Sequence, residues 1–191
     1  MYNVNDILYS SGGSMTEQII VSNAYELANY RNIITNNIEK SVLVLKKILE
    51  SESPLDAFGR MKFDKIAIEP ISGKEENIIE VINQLQTYMV SIMATEYLLA
   101  EFPDKSFTIN LGNIPGYDIE SSDGEIIAEC FAATSYRSNG KLSADLKRLH
   151  NNTSAKHKYE FFYDKEFTDN QKEYYEHKFD DIRIIKFYKI M

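Results

Sequence analysis

The chain reads as helical in its N-terminal part and, after Phe102-Pro103, as strands interleaved with two helices. From about Thr16 or Ser22 to Leu49, the residues Tyr25, Ala28, Ile33, Ile34, Ile38, Val42, Leu45 and Leu49 return at three- and four-residue steps. They predict a helix, which Asn36-Asn37 could divide in two. Its stripe either packs on the rest of the domain or forms a dimer seam, because periodicity marks a buried face without saying what buries it. Ahead of it, residues 1–15 are polar and end in Ser10-Ser11-Gly12-Gly13-Ser14, a flexible lead-in. Pro54 to Pro70 reads as a connector whose alternating piece, Met61 to Ile68, is an edge strand or an extended loop.

A second helix is expected to open at Ser72-Gly73-Lys74-Glu75-Glu76, with Ser72 as N-cap and Glu75 three residues on. Its stripe runs Ile78, Ile82, Leu85, Met89, Ile92, Glu96 and Leu99, which puts Glu96 on the buried side. A carboxylate there either reaches solvent or a lysine near the helix end, or points at a cation. Phe102-Pro103 closes the helix. Strands follow at Ser106–Leu111, Tyr117–Ser121 and Glu125–Thr134, with Asp123-Gly124 as a hairpin turn. A helix over Lys141–Asn151, a strand over Tyr159–Tyr163, a helix over Asn170–Phe179 and a strand over Ile182–Tyr188 complete an α/β chain with a mixed sheet. The expected organisation is an N-terminal helical extension and connector over 1–71 and an α/β domain over 72–191.

Composition narrows the chemistry. The 191 residues are 43% hydrophobic and 12% aromatic, enough to build a core. Cys130 is the single cysteine, so no intramolecular disulfide can form. No apolar run reaches the length of a membrane span and no basic-then-apolar leader opens the chain, so a cytoplasmic protein is expected. The net charge of −8 is unlike that of a protein coated in nucleic acid. Residues 1–140 carry 10 Lys/Arg against 20 Asp/Glu, and residues 141–191 carry 11 against 9, so basic residues gather late. The tail's lysines, among them Lys156, Lys158, Lys172 and Lys186, are either phosphate contacts or ordinary charged faces.

Candidate chemistry concentrates between Asn113 and Leu149. A Pro115-Gly116 turn leads to Asp118, and the strand after the hairpin carries Glu129 on one face with Glu125, Ile127 and Phe131. If Asp118 and Glu129 meet, they offer hard oxygen ligands suited to Mg²⁺ or Mn²⁺. Glu120 and Glu125 read as solvated hairpin charge. On the next helix Leu142, Leu146 and Leu149 form the packing face, and Lys141, Asp145 and Arg148 a separate polar stripe. His150, His157 and His177 lack ligand spacing.

Asp118, Glu129 eleven residues later, and the α-βββ-α-β order from about Glu75 to Ile190 resemble the PD-(D/E)XK nuclease superfamily, the fold of many restriction endonucleases. The resemblance implies a restriction-endonuclease-like core and a metal-dependent hydrolase of phosphodiester bonds in DNA. It implies Asp118, Glu129 and the backbone carbonyl of Cys130 as metal ligands, with Glu96 assisting from the preceding helix. The chain departs from the family at the lysine two residues after the second acid, which here is Phe131. Such families are similar in sometimes moving an active-site residue to a neighbouring element, which points to Lys141. Two other readings stand beside this one. A nuclease-like fold without activity would serve as a binding or assembly module, and an unrelated α/β domain would merely carry surface carboxylates. A homodimer through the N-terminal helices would place two sites on two strands.

Overall fold

A computed structural model describes residues 17–112 and 114–190, so the polar lead-in lies outside the described residues. The fold is mixed α/β, with five α-helices and a six-stranded mixed sheet among the described residues. Strand β1 (Glu17–Val21) precedes helices α1 (Ala24–Ser51) and α2 (Pro54–Phe63). A small hairpin, β2 (Ala67–Ile68) and β3 (Glu75–Glu76), leads to α3 (Ile78–Glu101). The meander β4 (Phe107–Leu111), β5 (Ile119–Ser121) and β6 (Ile126–Ala132) follows. Then α4 (Lys141–Asn151), β7 (His157–Tyr163), α5 (Asp169–Lys178) and β8 (Arg183–Phe187) complete the order. In the large sheet the order is β1-β4-β5-β6-β7-β8. Neighbours are antiparallel from β1 to β6 and parallel from β6 to β8.

Parallel neighbours need crossovers, and α4 and α5 supply them on one face of the sheet. Ile127, Phe131 and Phe162 point into that face, against Leu142, Leu146 and Leu149. The opposite face carries Ile126, Ala128, Cys130, Tyr159 and Phe161 against α1 and α3. Both faces of β6 and β7 are therefore covered, and their runs IIAECFA and HKYEFFY are almost wholly buried.

The N-terminal elements differ from the sequence expectation in three ways, each with a local cause. First, residues 17–21 form β1, paired with β4 from Glu17↔Leu111 to Val21↔Phe107, so the sheet itself crosses the boundary expected after residue 71. Second, α1 runs unbroken through Asn36-Asn37. Asn37 is buried and donates to the Pro70 carbonyl at 3.1 Å, while Ser41 Oγ accepts from the Ile68 amide at 2.8 Å. These polar residues dock the β2 segment and do not break the helix. Third, Met61–Phe63 ends a helix and is not strand, because Ser53 caps it and Pro54 occupies its first turn.

The start of α3 also moves. Ser72 and Gly73 lie in the β2–β3 turn, with Gly73 at φ +70°, and the cap is Asn77, whose Oδ1 accepts from the Ile79 amide at 2.8 Å. Five consecutive residues from Tyr88 to Ile92 are buried because α3 lies between α1 and the sheet. Ile82 and Glu96 fall outside that buried surface. No helix among the described residues is long and apolar enough to cross a membrane.

Phe161 is fully buried between Tyr97, Tyr159 and Phe187. Phe161→Ala is expected to lower stability by about 3–5 kcal/mol. Leu55→Ala, at a side chain 87% exposed, should stay within about 0.5 kcal/mol. Urea midpoints of the two variants check this contrast.

Candidate functional site

Asp118 stands where the chain enters β5, and its neighbours explain how it is held. Asn110 on β4 donates through Nδ2 to the Tyr117 carbonyl at 2.7 Å, and its backbone amide donates to the Asp118 carbonyl at 2.8 Å. Gly116 makes this approach possible: its φ is +126°, and a Cβ there would stand 3.3 Å from Asn110 Nδ2. The backbone register of β5 on β6 includes Ile119↔Ala128 and Glu120↔Ile127. Beyond it the Asp118 side chain takes over, Oδ2 accepting from the Cys130 amide at 2.7 Å. A carboxylate thus continues the edge of the ladder and is fixed beside the middle of β6.

Glu129 occupies that middle and is 0% exposed. Across the parallel pair it lies in register with Glu160 of β7, which is also 0% exposed. Among the described residues, no donor is aligned on either carboxylate oxygen of Glu129 or of Glu160. Arg148 of α4 brings Nη1 to 2.8 Å from Glu129 Oε1, close enough for charge attraction but not aligned as a hydrogen bond. Burial first, then the charge of Asp118, pushes the Glu129 carboxyl up to about 8, against the pull of Arg148. The Asp118 carboxylate is near enough to act on Glu129 directly, and it favours the protonated form of Glu129. Burial, followed by the charges of Asp145 and Glu129, drives Glu160 well above the usual carboxylate range.

Helix α4 brings the remaining charges. Lys141 Nζ lies 2.9 Å from Asp145 Oδ1 and 2.8 Å from Oδ2, one helical turn on. Burial works to lower the Lys141 ammonium, but the hydrogen bond and charge of Asp145, with the charges of Asp118 and Glu129, raise it overall. Burial raises Asp145 despite Lys141. Asp118, Glu129, Asp145 and Glu160 therefore face Lys141 and Arg148 in one cluster, four acids against two bases.

The structure places Asp118, Glu129 and Lys141 in one charged cluster. Cys130 enters through its amide, while its thiol is buried against Ser91 on the other face. Glu96 is not brought there. It is 55% exposed on the α1 side of α3 and pairs with Arg31 at 2.8 Å. Ile78, Met89, Ile92 and Leu99 of the expected stripe are buried while Ile82 and Glu96 are exposed, because the spacing marks a face without saying which of its positions the sheet and α1 cover. Phe131 stacks on Phe162, ring centroids 5.1 Å apart and planes within 4°, so a lysine at 131 would be driven into an aromatic core. Glu160 was not among the sequence candidates; its one signal is a lone acid between aromatic residues in HKYEFFY.

The basic tail is largely neutralised within the molecule. Lys156 pairs with Glu125, Lys158 with Asp181 at 2.5 Å, Lys172 with Glu176 and Arg183 with Glu101. His150 also rests on Asp181, at 2.7 Å.

The raised Glu129 carboxyl has a consequence for stability. The folded chain keeps a proton that the unfolded chain releases near 4.5, so stabilisation present at low pH is lost as pH rises toward about 8. The melting temperature of the cation-free protein should fall from about pH 5 to about pH 8. Glu129→Gln should flatten that slope and raise the melting temperature at about pH 8, by about 2–4 °C for each kcal/mol recovered. An unchanged slope in this variant would assign the dependence to Glu160 and Asp145. No protein-family model, no curated protein and no solved structure matches this chain, so its function is read from the geometry of the site.

Proposed function

We propose that this chain is a cytoplasmic, metal-dependent endonuclease that hydrolyses phosphodiester bonds in DNA, built on a restriction-endonuclease-like core. The run α3-β4-β5-β6-α4-β7, with an antiparallel meander followed by a parallel strand, supports the core assignment. The observation that carries the reading is the convergence of Asp118 and Glu129 at the end of the β5–β6 ladder, with no donor aligned on either Glu129 oxygen among the described residues. A buried carboxylate without a donor is costly unless it is protonated or meets a cation.

The ion of this reading is Mg²⁺ or Mn²⁺, held by two carboxylates and a carbonyl, since no group of three or more Asp, Glu, His or Cys side chains placed to hold a metal ion occurs among the described residues. The donor atoms are hard oxygens, and with all four acids ionised the cluster lacks two positive charges. Asp118 and Glu129 would hold the ion, joined by the Cys130 carbonyl. When bound, the ion supplies a more acidic water and neutralises phosphate charge. The chain's own residues do the rest. Asp118 is kept in place by the Cys130 amide and by the Asn110–Tyr117 contact. Asp145 grips Lys141 and presents an ammonium beside the acids, where it can stabilise charge developing on phosphate oxygens. Self-association through the exposed apolar side chains of α1 and α2, Val42, Leu43, Leu49, Leu55 and Phe58, would give a homodimer with two such sites.

A second reading, an inactive nuclease-like binding or assembly module, is favoured by Phe131 at the family's lysine position. Incubating supercoiled plasmid with the protein and Mg²⁺ or Mn²⁺ separates the two. The nuclease reading expects nicking that falls at least about a hundredfold in Asp118→Asn and Glu129→Gln. Lys141→Ala should lose cleavage while keeping Mn²⁺ binding. Metal binding without cleavage in the parent protein would select the inactive module, and unchanged cleavage in the Lys141 variant would remove that residue from the mechanism.

A further inference from the structure

Glu129 already has one cation beside it, and the way that cation is held is unusual. Arg148 reaches Glu129 Oε1 at 2.8 Å without directing an N–H at it. A guanidinium that binds a carboxylate firmly does so with parallel, aligned N–H bonds, and this one does not. What aligns Arg148 lies at the mouth of the site. Its Nη2 donates to the Gly116 carbonyl, and its guanidinium carbon stands 4.8 Å from the centre of the Tyr117 ring. The side chain is 45% exposed, whereas the carboxyl beside it is fully buried. Lys141 contrasts with it, donating a hydrogen bond to Asp145 Oδ1 at 2.9 Å.

We propose that Arg148 is a displaceable internal counter-ion: it holds the cation's place beside Glu129 until a divalent cation takes that carboxylate, and is then free to contact a phosphate oxygen of the nucleic acid. This rests on the nuclease reading above. Two properties follow from the contacts. Cation and guanidinium compete for Glu129, so the cation binds against an opposing term that the neutral variants lack. Freed from Glu129, the guanidinium still has Gly116 and Tyr117 to keep it at the mouth, where its planar fork suits a phosphate. Metal and nucleic acid are then positively coupled through one side chain, and the coupling is reciprocal. Arg148 acts here as a positioning and charge-exchange residue.

The test uses the full chain and two neutral variants, Arg148→Met and Arg148→Gln, with Arg148→Lys as a charge-keeping control and thermal melting to establish that each is folded. Mn²⁺ alone is titrated and the unbound ion followed by electron paramagnetic resonance. Separately, a fluorescein-labelled DNA duplex is titrated with and without Ca²⁺ in place of Mg²⁺. The expected result is Mn²⁺ binding about tenfold tighter in the neutral variants, with Arg148→Lys near the parent. The Ca²⁺-dependent gain in duplex affinity should be lost in both neutral variants. Unchanged or weaker Mn²⁺ binding in the folded neutral variants would overturn the exchange, and so would a Ca²⁺ effect equal to the parent's. A parent protein that binds no Mn²⁺ would instead remove the nuclease reading beneath it.

Discussion

Two carboxylates in register on neighbouring parallel strands, both closed off from water, set the terms for everything around them. Glu129 and Glu160 are adjacent by the pairing of β6 with β7, and the packing of α4 on that face prevents solvent from separating their charges. Like charges in such a place hold protons, recruit bases or bind a cation. Burial favours the protonated forms of these acids, and α4 brings Lys141 and Arg148 to the same region. The helix is thus both a crossover that closes one hydrophobic layer and the source of the site's positive charge.

This double use explains the division of labour along α4. Leu142, Leu146 and Leu149 are buried against Ile127, Phe131 and Phe162, which fixes the rotation of the helix about its axis. With that rotation set, Lys141, Asp145 and Arg148 fall at steps of four and three on the side nearest the β5–β6 opening. The stacked pair Phe131 and Phe162 occupies the strand positions two residues beyond Glu129 and Glu160, so no cation can be delivered from the sheet there. Charge must arrive from the helix. A core that became more aromatic and a base that stands on the neighbouring element are two aspects of one packing solution.

Much of this was legible in the sequence where period and punctuation agree. The alternation in Glu125–Thr134 fixed which side chains share a face with Glu129, and Asp123-Gly124 fixed the turn that returns the chain to Asp118. Helix α4 occupies the expected Lys141–Asn151 because its leucine spacing is unambiguous. What escaped depended on partners far along the chain. Residues 17–21 became strand only because β4 offers an edge, and Asn37 stays helical because the Pro70 carbonyl accepts its amide. Glu160 gave little warning, since a single acid in an aromatic strand acquires meaning only when the register sets it beside Glu129. Glu96 went wrong for the opposite reason: a local stripe was extended to a position where α1 supplied Arg31 instead of an interior.

The bond between the Asp118 carboxylate and the Cys130 amide joins scaffold and chemistry in one contact. Deleting that side chain would do more than empty a ligand position. It would strand an amide on a strand sealed on both faces, at a cost of about 1–3 kcal/mol for an unsatisfied donor. Truncation to alanine is therefore a blunt instrument at residue 118, because loss of function and loss of fold would arrive together. An asparagine, which keeps an oxygen for the amide while discarding the charge, separates the two.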